Sequence, residues 1–326
     1  MVKKVLITTY PFGMNDKQPI DLLKAAGYDV YYNPYARKLT QVELIDIMLA
    51  INPDAIIAGT EKYKAHFFMD VPNLKCISRV GVGLDGIPFQ ACNDKNIKVA
   101  YTPEAPADSV AELTIGLILS LLRGIHTSNT DMHSGCWGRV LGKLVKDVTI
   151  GVMGMGRIGS RVATKLLGLT PNIMYTDPNV KDKTIEGFNI LKVSENELLK
   201  ECDLLTIHIP LNQKNYHCID YKQLGMMKHG AFIVNTARGA IIQELALLSS
   251  LENQHLGGAA IDVFENEPYN GQLKDFDNVI LTSHMASMTS SGRSRMEIEA
   301  TENCIAMLNG KTPKDIVTQE IINELT

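Results

Sequence analysis

At 326 residues the chain exceeds one ordinary hydrophobic core, so two domains are expected. Apolar residues make up 45% and charged residues 21%, as in a soluble globular protein. A net charge of −4 without any basic run excludes a surface built to neutralise nucleic-acid phosphates or to lie on anionic lipid. After Met1-Val2-Lys3-Lys4 only Val5 to Ile7 are apolar, too short a run for a signal peptide. The most apolar helical stretch, Leu113 to Leu122, falls short of the ~20 residues that span a bilayer. Six scattered cysteines (76, 92, 136, 202, 218 and 304) form no C-x-x-C pair, so reduced thiols in the cytoplasm are expected, with no metal site.

The first hundred residues alternate strands with helices. Lys4 to Thr9 reads as a strand, Pro19 to Ala26 as a helix stopped by Gly27, and Val30 to Tyr32 as a second strand. Thr40 is placed to cap a helix with Val42, Leu44, Ile45, Met48 and Leu49 on one face. Ala55 to Ala58, Leu74 to Val80 and Ile97 to Tyr101 follow as strands. Asp108 to Ser128 reads as one strongly apolar helix capped by Asp108 or Ser109. A second series starts near Asp147: strand 148–153, helix 157–167, strand 173–176, helix 194–202 and strand 204–209. Strand 231–235, helix 243–253, strands 258–262 and 279–282 and a final helix 290–308 complete it. The pattern predicts an α/β protein of two doubly wound parallel-sheet domains.

Gly154-Met-Gly156-Arg-Ile-Gly159 lies between a β-branched strand and a helix, and Asp177 follows 18 residues after Gly159. A lone G-x-G-x-x-G is weak, but this context makes it a dinucleotide fingerprint. Gly154 permits the tight turn, Gly156 lets backbone approach a pyrophosphate, and Gly159 lets helix and strand pack closely. The N–H groups of Arg157 and Ile158 at the helix start can receive the pyrophosphate. Asp177 is placed to accept hydrogen bonds from ribose hydroxyls and to repel a 2′-phosphate, so NAD is favoured over NADP.

Three downstream segments each end a strand and carry one group suited to hydride transfer on a 2-oxo acid. Arg238 can hold a carboxylate through two hydrogen bonds and polarise the adjacent keto oxygen. His284 can protonate the developing alkoxide, and Glu267 can fix the imidazole tautomer and stabilise its charged form. Each alone is more often a surface or structural residue. Together they lie at the strand ends where open α/β sheets bind ligands.

These motifs, in this order, resemble the D-2-hydroxyacid dehydrogenase family, and its phosphoglycerate dehydrogenase-like branch in particular. Arg79-Val80-Gly81-Val82-Gly83 is similar to the family's substrate loop, and Tyr101-Thr-Pro103 with Ala111-Glu112-Leu113-Thr114 to its crossover between domains. The resemblance implies Arg238, Glu267 and His284 as the catalytic set, with Thr236, Ala237 and Asp262 on the nicotinamide half and His208 and Pro210 lining the cofactor cleft. It implies a flavodoxin-like substrate domain of 1–101 completed by 287–326, a Rossmann cofactor domain of 102–286, and a cleft between them. It also implies a homodimer formed through the 108–128 helix and Trp137-Gly-Arg139.

Ile209, Gln243 and Ser283 depart from common family residues without touching the proposed chemistry. Ala58-Gly59-Thr60-Glu61 lacks the arginine that phosphoglycerate enzymes often place there, which weakens 3-phosphoglycerate as substrate, although Arg79 and Arg139 remain as cations for an anionic tail. The alternatives are a D-lactate, glycerate or hydroxypyruvate-type reductase and, from another class, an NAD-sensing corepressor-like binding protein. Glutamine is expected at position 267 in formate dehydrogenases, so Glu267 disfavours that branch.

Overall fold

A computed structural model describes residues 2–180, 184–185 and 188–325. The chain divides into two compact units, Met1–Pro106 with Ser287–Thr326, and Ala107–Ala286.

The first unit holds β1 (Lys4–Ile7), α1 (Gln18–Ala25), β2 (Asp29–Tyr32), α2 (Gln41–Ile51), β3 (Ala55–Ala58), β4 (Cys76–Arg79), α3 (Phe89–Asp94) and β5 (Lys98–Ala100). Its strands form a parallel sheet in the order β2-β1-β3-β4-β5, the flavodoxin-like arrangement. Both faces of the central strands β3 and β4 are buried, which explains the unbroken apolar run of β3. Thr40 caps α2 through a reciprocal box with Glu43. On that helix Leu44 and Met48 are buried, whereas Val42 is 67% and Leu49 47% exposed, so the apolar stripe is narrower than the sequence pattern predicts.

The second unit begins with α4 (Ala107–Arg123) and α5 (Ile125–His133). The predicted single helix is therefore two, bent by 68°. Gly124 makes the break: it adopts φ +58, and a Cβ there would collide with the side chain of Val140. Asp108 and Ser109 lie inside the first turn rather than at a cap; Asp108 pairs with Arg161 at 3.3 Å and Ser109 is buried. Among the described residues no single helix is long and apolar enough to cross a membrane.

There follow β6 (Ile150–Met153), α6 (Arg157–Leu167), β7 (Ile173–Thr176), a small antiparallel pair β8 (Thr184–Ile185) and β9 (Phe188–Asn189), and β10 (Leu191–Lys192). Then come α7 (Glu195–Glu201), β11 (Leu204–Ile207), α8 (Tyr221–Met226), β12 (Ala231–Asn235), α9 (Glu244–Glu252), β13 (Leu256–Ile261) and β14 (Val279–Leu281). The strands form a seven-stranded parallel sheet in the order β10-β7-β6-β11-β12-β13-β14. That is the Rossmann order with one further strand, and its direction reverses between β6 and β11.

The chain then returns to the first unit with α10 (Ser290–Leu308) and α11 (Gln319–Leu325). Met296, Ala300 and Cys304 of α10 pack into the core formed by Val5, Ile57 and Cys76, and Ser78 Oγ donates to Ala300 O at 2.6 Å. The short helices α3, α8 and α11 carry too few turns for a 3.6-residue repeat to stand out in the sequence.

Candidate active site

The glycine turn leaves β6 at the point where the sheet order reverses. Gly154 adopts φ +93, and a Cβ there would come within 2.7 Å of His208 O. A Cβ on Gly159 would overlap Gly154 O, so helix α6 meets the turn at backbone contact. Gly156 faces open space and precedes α6, and among the described residues no side chain caps that helix. The first intrahelical bond runs from Ser160 N to Gly156 O at 3.1 Å, so the N–H groups of the first turn precede it. This cradle fits a diphosphate.

Asp177 follows β7. Its Oδ2 accepts from Met155 N at 2.8 Å, and its Oδ1 from Asn179 N at 2.8 Å and Val180 N at 3.1 Å. The carboxylate therefore also closes the glycine turn, a role the sequence motif did not reveal. Across the reversal, His208 N donates to Met153 O and its Nε2 lies 2.9 Å from Thr206 Oγ1. The Nδ1 atom is buried without a partner among the described residues, and burial pushes the imidazole down to about 3. An orphaned neutral ring nitrogen beside the glycine turn also fits a ligand that supplies the missing partner. Pro210 is exposed, and its carbonyl accepts from Asn215 Nδ2 at 2.8 Å.

Arg238 stands three residues beyond β12, in a turn organised by Asn235. That buried side chain accepts from Ala237 N at 3.0 Å and donates to Arg238 O at 2.9 Å. Asn235 carries none of the proposed chemistry, but an Asx residue at a strand end is the sequence signal for such a turn. Arg238 Nη1 donates to Ala237 O at 2.6 Å, and Thr236 Oγ1 lies 2.9 Å from Thr114 Oγ1 of α4. Gly239 follows at backbone contact with Phe264 and Glu265; a Cβ there would overlap both.

Glu267 and His284 follow the next two strands, β13 and β14. His284 Nδ1 lies 2.9 Å from Glu267 Oε1 and 3.0 Å from Oε2, and Phe264 N donates to the same carboxylate at 3.2 Å. Both side chains are partly exposed, at 33% for His284 and 21% for Glu267. With Nδ1 committed to the carboxylate, Nε2 is the nitrogen left for chemistry. His284 adopts φ +54, uncommon for a side-chain-bearing residue, and Asp262 holds it there. The buried Asp262 carboxylate accepts from Thr282 Oγ1 at 2.5 Å, Met285 N at 2.9 Å and Ala286 N at 3.0 Å, while Asp262 O accepts from His284 N at 2.8 Å. The resemblance implies a nicotinamide contact for Asp262; the bonds observed to its carboxylate all come from Thr282 and the turn carrying the imidazole.

In the first unit, Arg79, Val80 and Gly81 are buried, while Val82 and Gly83 are partly exposed. Arg79 Nη1 donates to Val80 O, and its guanidinium occupies the space a Cβ on Gly81 would need. Gly81, at φ +131, donates its N–H to Thr102 Oγ1 at 2.7 Å. Arg79 is thus buried and bonded to the backbone of its own loop. Among the described residues no group of three or more His, Cys, Asp or Glu is arranged to hold a metal ion.

A family model described as D-isomer specific 2-hydroxyacid dehydrogenase, NAD binding domain, matches residues 115–286. A glyoxylate reductase of Thermofilum pendens is 37% identical over 272 residues, covering 81% of this chain and 80% of the relative. A D-3-phosphoglycerate dehydrogenase of Methanocaldococcus jannaschii is 35% identical, covering 86% of this chain and 54% of the relative. The solved structure of a glyoxylate reductase from Paecilomyes thermophila superposes with a TM-score of 0.85 at 26% identity, covering 98% of this chain and 99% of that one. The chain belongs to the D-isomer specific 2-hydroxyacid dehydrogenase family, NAD-dependent oxidoreductases acting on small 2-hydroxy and 2-oxo acids.

Proposed function

We propose that the protein reduces a small, unphosphorylated 2-oxo acid to the D-2-hydroxy acid at the rim formed by β12, β13 and β14. NADH, when bound along the glycine turn, supplies the hydride. Arg238 grips the substrate carboxylate and polarises the keto oxygen. His284 donates a proton from Nε2 to that oxygen as it gains charge, and Glu267 stabilises the imidazolium that donates it. The observation that carries this reading is the bidentate contact of Glu267 with His284 Nδ1, which orients one ring nitrogen and leaves the other. Gly154, Gly156, Arg157, Ile158, Gly159 and Asp177 would hold the adenosine diphosphate, with His208, Pro210, Thr236, Ala237 and Asp262 beside the nicotinamide half.

The substrate class rests on the first unit. The 79–83 loop is the proposed substrate loop, and its one cation, Arg79, is already bonded to Val80 O. Residues 58–61 add a carboxylate, Glu61, and no cation. The one cation of the first segment is buried against backbone and the second segment has none, which favours acids such as glyoxylate, hydroxypyruvate or pyruvate over a phosphorylated one. Residues 1–101 with 287–326 would form the substrate domain and 102–286 the cofactor domain, in a cytoplasmic homodimer. Support for the dimer comes from an apolar arm, where Trp137 is 81%, Leu141 99% and Leu144 53% exposed.

The test is NADH oxidation with glyoxylate, hydroxypyruvate, pyruvate and 3-phosphohydroxypyruvate in parallel. Turnover of the plain acids is expected. Preference for the phosphorylated one would overturn the substrate class. Tight NADH binding with no oxidation by any acid would favour the corepressor-like reading instead.

A further inference from the structure

Two loops flank the turn that carries Arg238: one follows β11 and the other follows β13, with β12 between them in the sheet. Three side chains join these outer loops. Tyr216 Oη donates to Glu265 Oε1 at 3.0 Å, and His217 Nε2 lies 2.9 Å from Glu265 Oε2. The Tyr216 and His217 rings stack at 4.0 Å between centroids. One carboxylate is thus gripped by two adjacent residues.

The backbone around this cluster ties it to the catalytic turn. His217 N donates to Ala240 O at 2.8 Å, and Ile219 N to Ile241 O at 3.1 Å, so the β11 loop holds the segment just after Arg238. From the other side, Gly239 abuts the backbone of Phe264 and Glu265. Phe264 N in turn donates to the Glu267 carboxylate that orients His284. His217 itself sits at φ +51, a left-handed conformation that non-glycine residues adopt when neighbouring contacts enforce it.

We propose that Tyr216, His217 and Glu265 form a strap of positioning residues that sets the Arg238 turn against the Glu267–His284 pair. The inference rests on the assignment of Arg238 as the carboxylate clamp. A clamp that reads two oxygens tolerates little displacement, so loosening the strap should act on recognition of the acid before it acts on the cofactor. The glycine turn, which follows a different strand, should not feel the change.

The test uses the full chain with NADH and two probes: glyoxylate for turnover, and oxalate, an unreactive planar mimic, for binding. Glu265→Ala should raise KM for glyoxylate and weaken oxalate binding to the NADH complex, each roughly tenfold. The dissociation constant for NADH should stay within about twofold of the parent value. Glu265→Gln keeps an acceptor for Tyr216 and places an amide that can donate to His217 Nε2 when the ring carries its proton on Nδ1, so it should restore most of the loss. If Glu265 acted only as a negative charge near the substrate, both variants would bind oxalate more tightly, and the proposal would fall. It would fall equally if Glu265→Ala changed neither probe, or weakened NADH and oxalate alike. Failure of the parent protein to bind oxalate or reduce any acid would instead sink the functional reading on which the strap depends.

Discussion

The two parallel sheets end in rims of opposite character. In the second unit the point of strand reversal leaves polar atoms uncommitted: among the described residues α6 has no side-chain cap and His208 Nδ1 has no partner. Further along that rim, Glu267 commits only one nitrogen of His284. In the first unit the equivalent point, between β1 and β3, closes on itself. Buried Glu61 accepts from Gly59 N at 2.8 Å and Thr8 Oγ1 at 3.2 Å, and Thr8 Oγ1 lies 3.0 Å from Tyr63 Oη. Burial raises the Tyr63 hydroxyl, with the Glu61 charge adding to it, and keeps it a donor. An open α/β sheet provides a place for a ligand at its carboxyl edge, but only a rim with unspent hydrogen-bonding capacity makes that place a site.

Breaking the open rim should have the largest effect. Arg238→Ala should lower kcat/KM for the 2-oxo acid by about a thousandfold, ~4 kcal/mol of transition-state stabilisation, in steady-state kinetics. Breaking the closed rim should cost stability instead. Glu61→Ala strands the Gly59 N–H and leaves a cavity, so urea unfolding should show a loss of about 3 kcal/mol while NADH affinity is unchanged. A large kinetic effect with no change in stability would show that the Thr8–Glu61–Tyr63 cluster belongs to the substrate site.

Glu267→Gln sharpens the comparison by leaving shape and removing charge. The negative charge beside the proton donor is then gone, so keto-acid reduction should slow about tenfold in steady-state kinetics. An unchanged kcat/KM would remove Glu267 from the chemistry. The smallest effect concerns His208. Its folded-state value of about 3 lies below the ordinary 6.5, so the unfolded chain takes up a proton that the native one refuses. Stability present above pH 6.5 is therefore lost as pH falls toward 3. His208→Asn should flatten that fall by about 1–2 kcal/mol at about pH 5, measured by denaturation without cofactor.

Much of this molecule was legible from spacing alone. Helix 157–167 and strands 173–176 and 231–235 lie where the sequence places them, because a short β-branched run and a glycine-bounded amphipathic run have few alternatives. The helix predicted for 108–128 is the instructive departure. The chain stays helical past Gly124, but that glycine takes a left-handed φ, and Val140, sixteen residues on, occupies the space a Cβ there would need. Exposure of Val42 and Leu49 has a similar origin, since periodicity records which residues are apolar and not how wide a face the sheet covers.

The sequence by itself determined the strand–helix alternation, the dinucleotide turn with its acidic partner, and the identity of the arginine, glutamate and histidine. These depend on neighbours within a few residues or on side-chain chemistry that no fold can supply. Tertiary structure alone decided what those groups are bonded to. It joined Glu267 to His284 across 17 positions and directed the carboxylate of Asp262 to the turn that bears the imidazole. It also linked His217 with Glu265 across 48 and buried Glu61 against Thr8 across 53. Such pairings arise only when separate strands are laid side by side in one sheet, and strand order leaves no mark on local composition.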